Sequence, residues 1–213
     1  MFSLSVSGII SRVITLIIAF TVHEFSHAYV ADRFGDDTPR SHGRLTLNPI
    51  KHLDVIGSLM LIIMGFGWAK PVPVNPAKLR QHSRSAFMWV SLAGPVSNLI
   101  MALLAVIPLR LRIFSLTAGN SILPSPAEFL LSFILINILL LVFNLIPVAP
   151  LDGEKVLEFL LPEQWSNQYA KLKPYGPILL LIGVFILPRF GVNLLGWIMN
   201  PIIYGLQSFI LGA

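Results

Sequence analysis

The chain contains three runs of membrane-spanning length that hold no Asp, Glu, Lys or Arg: residues 86–109, 129–151 and 190–213. A helix needs about 20 consecutive apolar residues to cross the hydrocarbon core of a bilayer, so each run predicts a transmembrane helix. Charged residues make up only 12% of the chain, whereas a soluble domain carries about a quarter. The composition excludes soluble and disordered chains, and the absence of cysteine excludes disulfide scaffolds and thiolate metal sites.

Three further apolar segments complete the predicted topology. We predict one helix over residues 8–34 that ends at Gly35. Residues 55–69 and 175–188 are uncharged but short, and we interpret the first as re-entrant and the second as a span that uses flanking residues. The predicted fold is an all-α polytopic membrane protein with about five transmembrane helices. A re-entrant or extended element, which could form a β-hairpin, lies between the first two.

The positive charges predict the orientation of these helices. With five crossings, the Lys and Arg residues that follow the first helix all lie on one side, except Arg110, Arg112 and Arg189. Because the positively charged side of a membrane protein faces the cytoplasm, we expect the N-terminus outside and the C-terminus inside the cell membrane.

Residues 65–76 form the one stretch in an apolar region that cannot be helical. They contain two glycines and three prolines, so they predict extended chain with turns. Irregular backbone near membrane depth must be covered by protein or line a wet cavity, so we expect a functional site beside this stretch.

The first predicted helix carries the pattern H-E-x-x-H at residues 23–27. His23 and His27 are one turn apart, so both imidazoles can bind one zinc ion, while Glu24 can reach a water molecule in the site as a general base. Ionisable residues inside a membrane helix are costly and need a partner or a task. The alternative is a polar cluster that only packs helices.

A catalytic zinc ion needs a third protein ligand. The candidates are Asp152, the other carboxylates, and the loop histidines His42, His52 and His82, which we expect to be solvated. We favour Asp152, because it lies at the same predicted depth as the histidine pair and follows prolines that break the preceding helix. Without the zinc motif, an aspartate before a glycine would be interpreted as the cap of the next helix.

Three motifs on three apolar segments together resemble the site-2 protease family of intramembrane zinc metalloproteases. They are H-E-x-x-H at residues 23–27, Gly94-Pro95-Val96-Ser97-Asn98, and Asn144-x-x-Pro147-x-x-Pro150-Leu151-Asp152-Gly153. The resemblance runs from the first helix to just past Gly153. It implies the compact form without PDZ or CBS domains, as one domain over residues 1–213 with a catalytic core at about 8–160 and C-terminal helices at 174–213.

The resemblance also implies roles for individual residues. His23, His27 and Asp152 would bind a single Zn²⁺, Glu24 would be the catalytic base, and Asn144 would stabilise the oxyanion or hold the substrate strand. The implied substrate is a transmembrane protein cleaved within the lipid bilayer, with no nucleic acid as partner; the oligomeric state is left open.

Some assignments keep alternatives. Asn144 could equally be an interhelical hydrogen-bonding residue. Asn98 is expected to be structural and to satisfy backbone groups freed by Pro95. A membrane metal-ion carrier using the same His, His and Asp side chains is the second function hypothesis, and a catalytically silent membrane scaffold is the third.

Overall fold

The computed structural model describes residues 5–57, 60, 67–114 and 122–211. The helices whose bounds lie within these residues are α1 Val6–Arg33, α2 Thr38–Ser41, α3 Pro76–His82, α4 Ala86–Arg110, α5 Pro126–Asn144, α6 Asp152–Leu160, α7 Glu163–Leu172, α8 Gly176–Leu181 and α9 Leu194–Leu211. Short 3₁₀ turns lie at Pro49–Lys51, Lys173–Tyr175 and Leu187–Phe190, and one π turn lies at Ile182–Ile186.

Four helical stretches in the described residues are long and apolar enough to cross a membrane: α1, α4, α5 and the stretch Glu163–Phe190. The fourth joins α7, α8 and the turns around them, so the short run at 175–188 does use flanking residues. The prediction of an all-α polytopic membrane protein is confirmed. The helix α9 covers most of the predicted fifth run, and its crossing stays a prediction.

The ends of the helices follow local sequence signals. Ser5 caps α1 by accepting a hydrogen bond from the Gly8 N–H, and Gly35 follows α1 with a positive φ of 81° that glycine adopts readily. At α5, Ser125 and Glu128 form a reciprocal capping box, which starts this helix before the predicted residue 129. The same helix ends at Asn144, seven residues before the predicted boundary, because the chain beyond it contains two prolines.

The helices α1, α4 and α5 pack against one another, and α6 packs against α4. Small residues such as Ala102 on α4 let the backbones approach closely, and Ile134, Ile138 and Met199 fill the apolar core beside them. The helix α9 therefore contributes to the core of α4 and α5. The interior of the bundle also contains buried polar side chains, and these form the candidate site.

Most of the predicted re-entrant segment lies outside the described residues. Its two ends are described: Leu53 and Ala69 form an isolated antiparallel bridge, and the Lys70 N–H donates to the His52 carbonyl over 2.8 Å. Within the described ranges no strand is formed beyond this bridge. The ends of the segment are thus neighbours in space, while the path between them stays a prediction.

Candidate metal centre

Two histidines on α1 face the interior of the bundle. His23 and His27 are 6% and 8% exposed, and their Nε2 atoms are 3.0 Å apart. The spacing of four residues puts both rings on one face of the helix, as the sequence pattern predicts. Two nitrogen atoms at this distance can share one cation between them.

The third group is Asp152, the first residue of α6. Its Oδ2 atom lies 3.2 Å from His23 Nε2 and 3.3 Å from His27 Nε2. Among the described residues these three form a group that could hold a metal ion, with ligand atoms within 4.8 Å of one another. The group therefore combines a carboxylate with two ring nitrogens.

Irregular backbone between α5 and α6 positions Asp152 beside His23 and His27. The chain leaves helical geometry after Asn144, and the next helix starts at Asp152. A Cβ atom at Gly153 would lie 2.3 Å from the Leu145 carbonyl oxygen, so only glycine fits there. A Cβ atom at Gly176 would lie 2.2 Å from the Ala149 carbonyl oxygen in the same way. Two glycines thus allow close packing around the segment that positions the carboxylate.

Hydrogen bonds on the far side of each ring determine which nitrogen is free to bind a metal. The Val90 carbonyl oxygen lies 2.6 Å from His27 Nδ1, and Asn98 Oδ1 lies 2.6 Å from His23 Nδ1. Since a carbonyl oxygen can only accept, each Nδ1 carries a proton, and each Nε2 is the nitrogen that faces Asp152 and can present a lone pair to a metal. Neutral imidazoles held this way, together with a carboxylate, are a typical ligand set for zinc.

Gly94 leaves open the space beside the two rings. A Cβ atom at this position would lie 2.4 Å from His27 Nε2 and 2.5 Å from His23 Nε2. The close helix approach expected from the Gly94-Pro95 pair is therefore an approach to the two histidines themselves. The space that a methyl group at Gly94 would fill fits a zinc ion, and so do the two ring nitrogens and the carboxylate oxygen beside it.

The structure corrects the expectation for Asn98. Its side chain does not satisfy backbone freed by Pro95: it bonds to His23 and donates to Asn137 Oδ1 over 2.9 Å. Sequence reasoning missed Asn137, which is fully buried in the middle of α5. The available signal was an amide in an otherwise apolar span, which is costly unless it has a partner.

Glu24 lies next to the extended chain. Its Oε2 atom accepts a hydrogen bond of 3.0 Å from the Val72 N–H and lies 4.0 Å from the guanidinium of Arg44. Arg44 is buried and donates to the Lys70 carbonyl oxygen. The non-helical stretch at residues 70–74 is therefore held against the proposed base, as expected for chain beside a functional site.

Asn144 is not part of these contacts in the described structure. Its Nδ2 atom donates to the Leu140 carbonyl oxygen of its own helix over 3.0 Å. The catalytic and the interhelical interpretations of this residue both stay predictions.

The remaining histidines lie outside the group of three. His42 and His82 are exposed, as expected. The expectation of a solvated His52 is wrong: it is fully buried, and its Nε2 atom donates to the Thr46 carbonyl oxygen over 2.6 Å. Burial lowers the pKa of this histidine. Thr46 lies six residues earlier in the chain, so this is a local contact, but the sequence does not reveal it.

Comparison with known proteins adds independent information. The family model described as Peptidase family M50 matches residues 110–187, a range that includes Asp152. Relatives that carry the name "Putative zinc metalloprotease" are YwhC of Bacillus subtilis, 44% identical over 83% of this chain and 80% of its own length, and Rip2 of Mycolicibacterium smegmatis, 32% identical over 92% and 75%. Rip2 of Mycobacterium tuberculosis is 31% identical over 93% and 74%.

No solved structure matches the chain. The relatives cover most of its length, and their names agree with the ligand set that the fold assembles. The chain belongs to peptidase family M50, the site-2 protease family of membrane zinc metalloproteases.

Proposed function

We propose that this protein is an intramembrane zinc endopeptidase that hydrolyses a peptide bond in or near a transmembrane segment of its substrate, as in regulated intramembrane proteolysis. The observation that carries the proposal is the meeting of His23 and His27 with Asp152, beside Glu24 and the extended chain at residues 70–74. Proteases of this family act on membrane proteins within the bilayer, which agrees with the depth of the histidines in a spanning helix.

We assign a single zinc ion to His23 Nε2, His27 Nε2 and Asp152 Oδ2. Three protein ligands leave a fourth position for water or substrate, which distinguishes a catalytic zinc site from a structural one. When bound, zinc supplies a Lewis acid that polarises the scissile carbonyl and acidifies water.

Glu24 is the proposed general base and acid. It follows His23 directly on α1, which brings its carboxylate to the edge of the metal site. One oxygen is oriented by the Val72 N–H, and the Arg44 guanidinium balances the carboxylate charge in a buried position. The carboxylate takes a proton from the attacking water and delivers it to the leaving amine.

Residues 70–74 are the proposed edge for substrate binding. A transmembrane helix hides its carbonyl groups in internal hydrogen bonds, so it must unwind locally before it can be attacked. An unwound segment satisfies its backbone best by pairing with another extended chain. Residues 70–74 are not helical and contact the base through Val72, so a strand paired here lies within reach of Glu24.

For Asn144 we propose a contact with the substrate strand or the oxyanion. This role requires its amide to leave the Leu140 carbonyl oxygen, which it bonds in the described structure. Replacing Asn144 by Leu tests the assignment: cleavage should fall while zinc binding is unchanged.

The proposed orientation places the zinc site toward the cytoplasm and the N-terminus outside the plasma membrane, as the distribution of Lys and Arg indicates. The chain has no cysteine, so single-cysteine variants report topology without further engineering. We expect a cysteine at Ser41 to react with an impermeant thiol reagent only in inside-out vesicles. Reaction in right-side-out vesicles would reverse the orientation.

The central experiment compares Glu24→Gln, His23→Ala and Glu163→Gln in cells that co-express a single-span substrate. Glu24→Gln should bind zinc but not cleave, because it keeps the ligands and loses the base. His23→Ala should lose both. Glu163, exposed at the start of α7, is the matched control, and its variant should cleave as the wild type does.

Cleavage by Glu24→Gln at the wild-type rate would refute the assigned base. A metal-ion carrier predicts a different result, namely metal uptake into vesicles that tolerates the loss of Glu24, because a carrier needs only the three ligands.

A further inference from the structure

A row of hydrogen bonds runs through the interior of the bundle from α5 to the metal site. Asn137 Nδ2 donates to the Phe133 carbonyl oxygen over 2.8 Å, and Asn98 Nδ2 donates to Asn137 Oδ1 over 2.9 Å. Asn98 Oδ1 then faces His23 Nδ1 at 2.6 Å. Both asparagines are fully buried, so water cannot replace either partner. The row joins three helices and ends on a proposed zinc ligand.

The direction of this row is determined at its far end. The Phe133 carbonyl oxygen can only accept, so Asn137 must present its NH₂ group to it and its oxygen to Asn98. Asn98 must in turn present its NH₂ group to Asn137 and its oxygen to His23. The His23 Nδ1 atom must therefore donate at the end of the row, and in the neutral ring this leaves on Nε2 the lone pair that a metal requires.

Asn98 could not enforce this arrangement alone. The oxygen and nitrogen of a side-chain amide have nearly the same shape, so Asn98 could turn over and offer NH₂ to His23. The proton of His23 would then sit on Nε2, which faces Asp152 Oδ2 and His27 Nε2, and the ring could not bind zinc. Asn137 prevents the reversal, because its oxygen can only accept a hydrogen bond and therefore requires the NH₂ group of Asn98 to face it.

The two ligand histidines differ in this respect. His27 Nδ1 donates to the Val90 backbone carbonyl, which has a fixed direction. His23 depends instead on Asn98 and, through it, on Asn137, which among the described residues has no direct hydrogen bond to His23.

We infer that Asn98 and Asn137 are positioning residues that act in series to keep the His23 Nε2 atom unprotonated and aimed at the metal. This inference rests on the proposed zinc site. It goes further by assigning a role in metal binding to Asn137, which is separated from every ligand by another side chain.

The test measures zinc affinity of the purified full-length protein in detergent by chelator competition, together with the visible absorption of the Co²⁺-substituted protein. Asn98→Leu should weaken zinc binding by about 10- to 100-fold, the usual effect of losing a partner of a ligand histidine. Asn137→Leu should also weaken it, because Asn98 becomes free to turn over. The Co²⁺ spectrum should change in both variants.

A double-mutant cycle separates action in series from two independent packing effects. If the residues act in series, Asn137→Leu should have no further effect on zinc affinity in the Asn98→Leu background. Independent losses that multiply in the double variant would overturn the inference. Thr21→Val is the matched control: it removes a partly buried hydrogen bond to the Ile17 carbonyl on α1, and zinc affinity should not change.

Asn98→Asp in the Asn137→Leu background provides the rescue, because no amide oxygen then faces the new carboxylate. A carboxylate accepts from His23 Nδ1 in either orientation, so this double variant should bind zinc more tightly than Asn137→Leu alone. It also decides the matter if Asn98→Leu fails to fold. If the wild-type protein binds no zinc, the proposed metal site is refuted. If the wild type binds zinc and both Asn98→Leu and Asn137→Leu bind it with the same affinity, only the positioning role is refuted.

Discussion

Replacing Gly94 by alanine gives a sharp test of the geometry around the metal site. The added Cβ atom would lie 2.4 Å from His27 Nε2, 2.5 Å from His23 Nε2 and 2.6 Å from His23 Cε1. Ordinary van der Waals contacts begin at 3.4 Å, so both rings would have to move by about 1 Å. They cannot do so independently, because each is bonded behind to Asn98 or Val90.

Two opposing free energies set the expected change in stability. Overpacking a filled interior costs about 1–3 kcal/mol, while replacing a helical glycine by alanine favours the helix by about 0.5–1 kcal/mol. The steric cost is larger, so Gly94→Ala should lower Tm modestly. The effect on function should be greater, since a displacement of about 1 Å in a catalytic site costs roughly 100-fold in rate.

The assay combines substrate cleavage, zinc content and Tm for Gly94→Ala and for Gly205→Ala. Gly205 lies in α9 with nothing within 4 Å of its Cβ position, so it reports the effect of the substitution without a clash. We expect wild-type zinc content and an equal or slightly higher Tm for Gly205→Ala, and loss of zinc and cleavage for Gly94→Ala. Full zinc occupancy and wild-type cleavage by Gly94→Ala would show that the helices do not approach as closely as described.

Other parts of the structure give further predictions. Gly176→Ala should reduce zinc affinity at least tenfold, because a Cβ atom there meets the Ala149 carbonyl oxygen and shifts the segment that carries Asp152. Chelator competition measures this affinity, and an unchanged value would contradict the prediction. Burial lowers the pKa of His52 below 6.5, so its contribution to stability is complete above that pH and is lost as the pH falls below it. The Tm of His52→Gln, which keeps a donor for the Thr46 carbonyl, should therefore decline less from pH 7 to pH 5.5 than the Tm of the wild type. Equal declines in the two proteins would refute this. Removal of zinc by a chelator should lower Tm and zinc addition should restore it, since saturation at 1,000 times Kd stabilises by about 4 kcal/mol; equal melting of both forms would argue against a bound metal.

Local patterns in the sequence predicted the helices well and indicated the three side chains that the fold brings together. The helical spacing of His23 and His27 is a property of a few adjacent residues, and it does not depend on how the rest of the chain packs. Asp152 was within reach of prediction because Pro147 and Pro150 mark the end of a span. Each of these signals acts over one or two helical turns.

Contacts between distant helices were beyond the sequence. Nothing near Asn98 indicates that its partner is His23 rather than backbone, and nothing near Asn137 indicates that it continues the row. The burial of His52 was missed for a different reason: it depends on how nearby loop residues such as Thr46 fold around the ring. Pairing of polar groups across a bundle depends on helix rotation and depth, which a single apolar span does not encode.

The division of the proposed metal ligands between α1 and α6 has a consequence for biosynthesis. The histidines leave the ribosome long before Asp152, so the nascent protein carries an incomplete ligand pair through most of its synthesis. Helices insert into the membrane individually and associate afterwards, and the buried amides on α4 and α5 find their partners only at that second stage. The proposed metal site can therefore form only after α1 and α6 have come together.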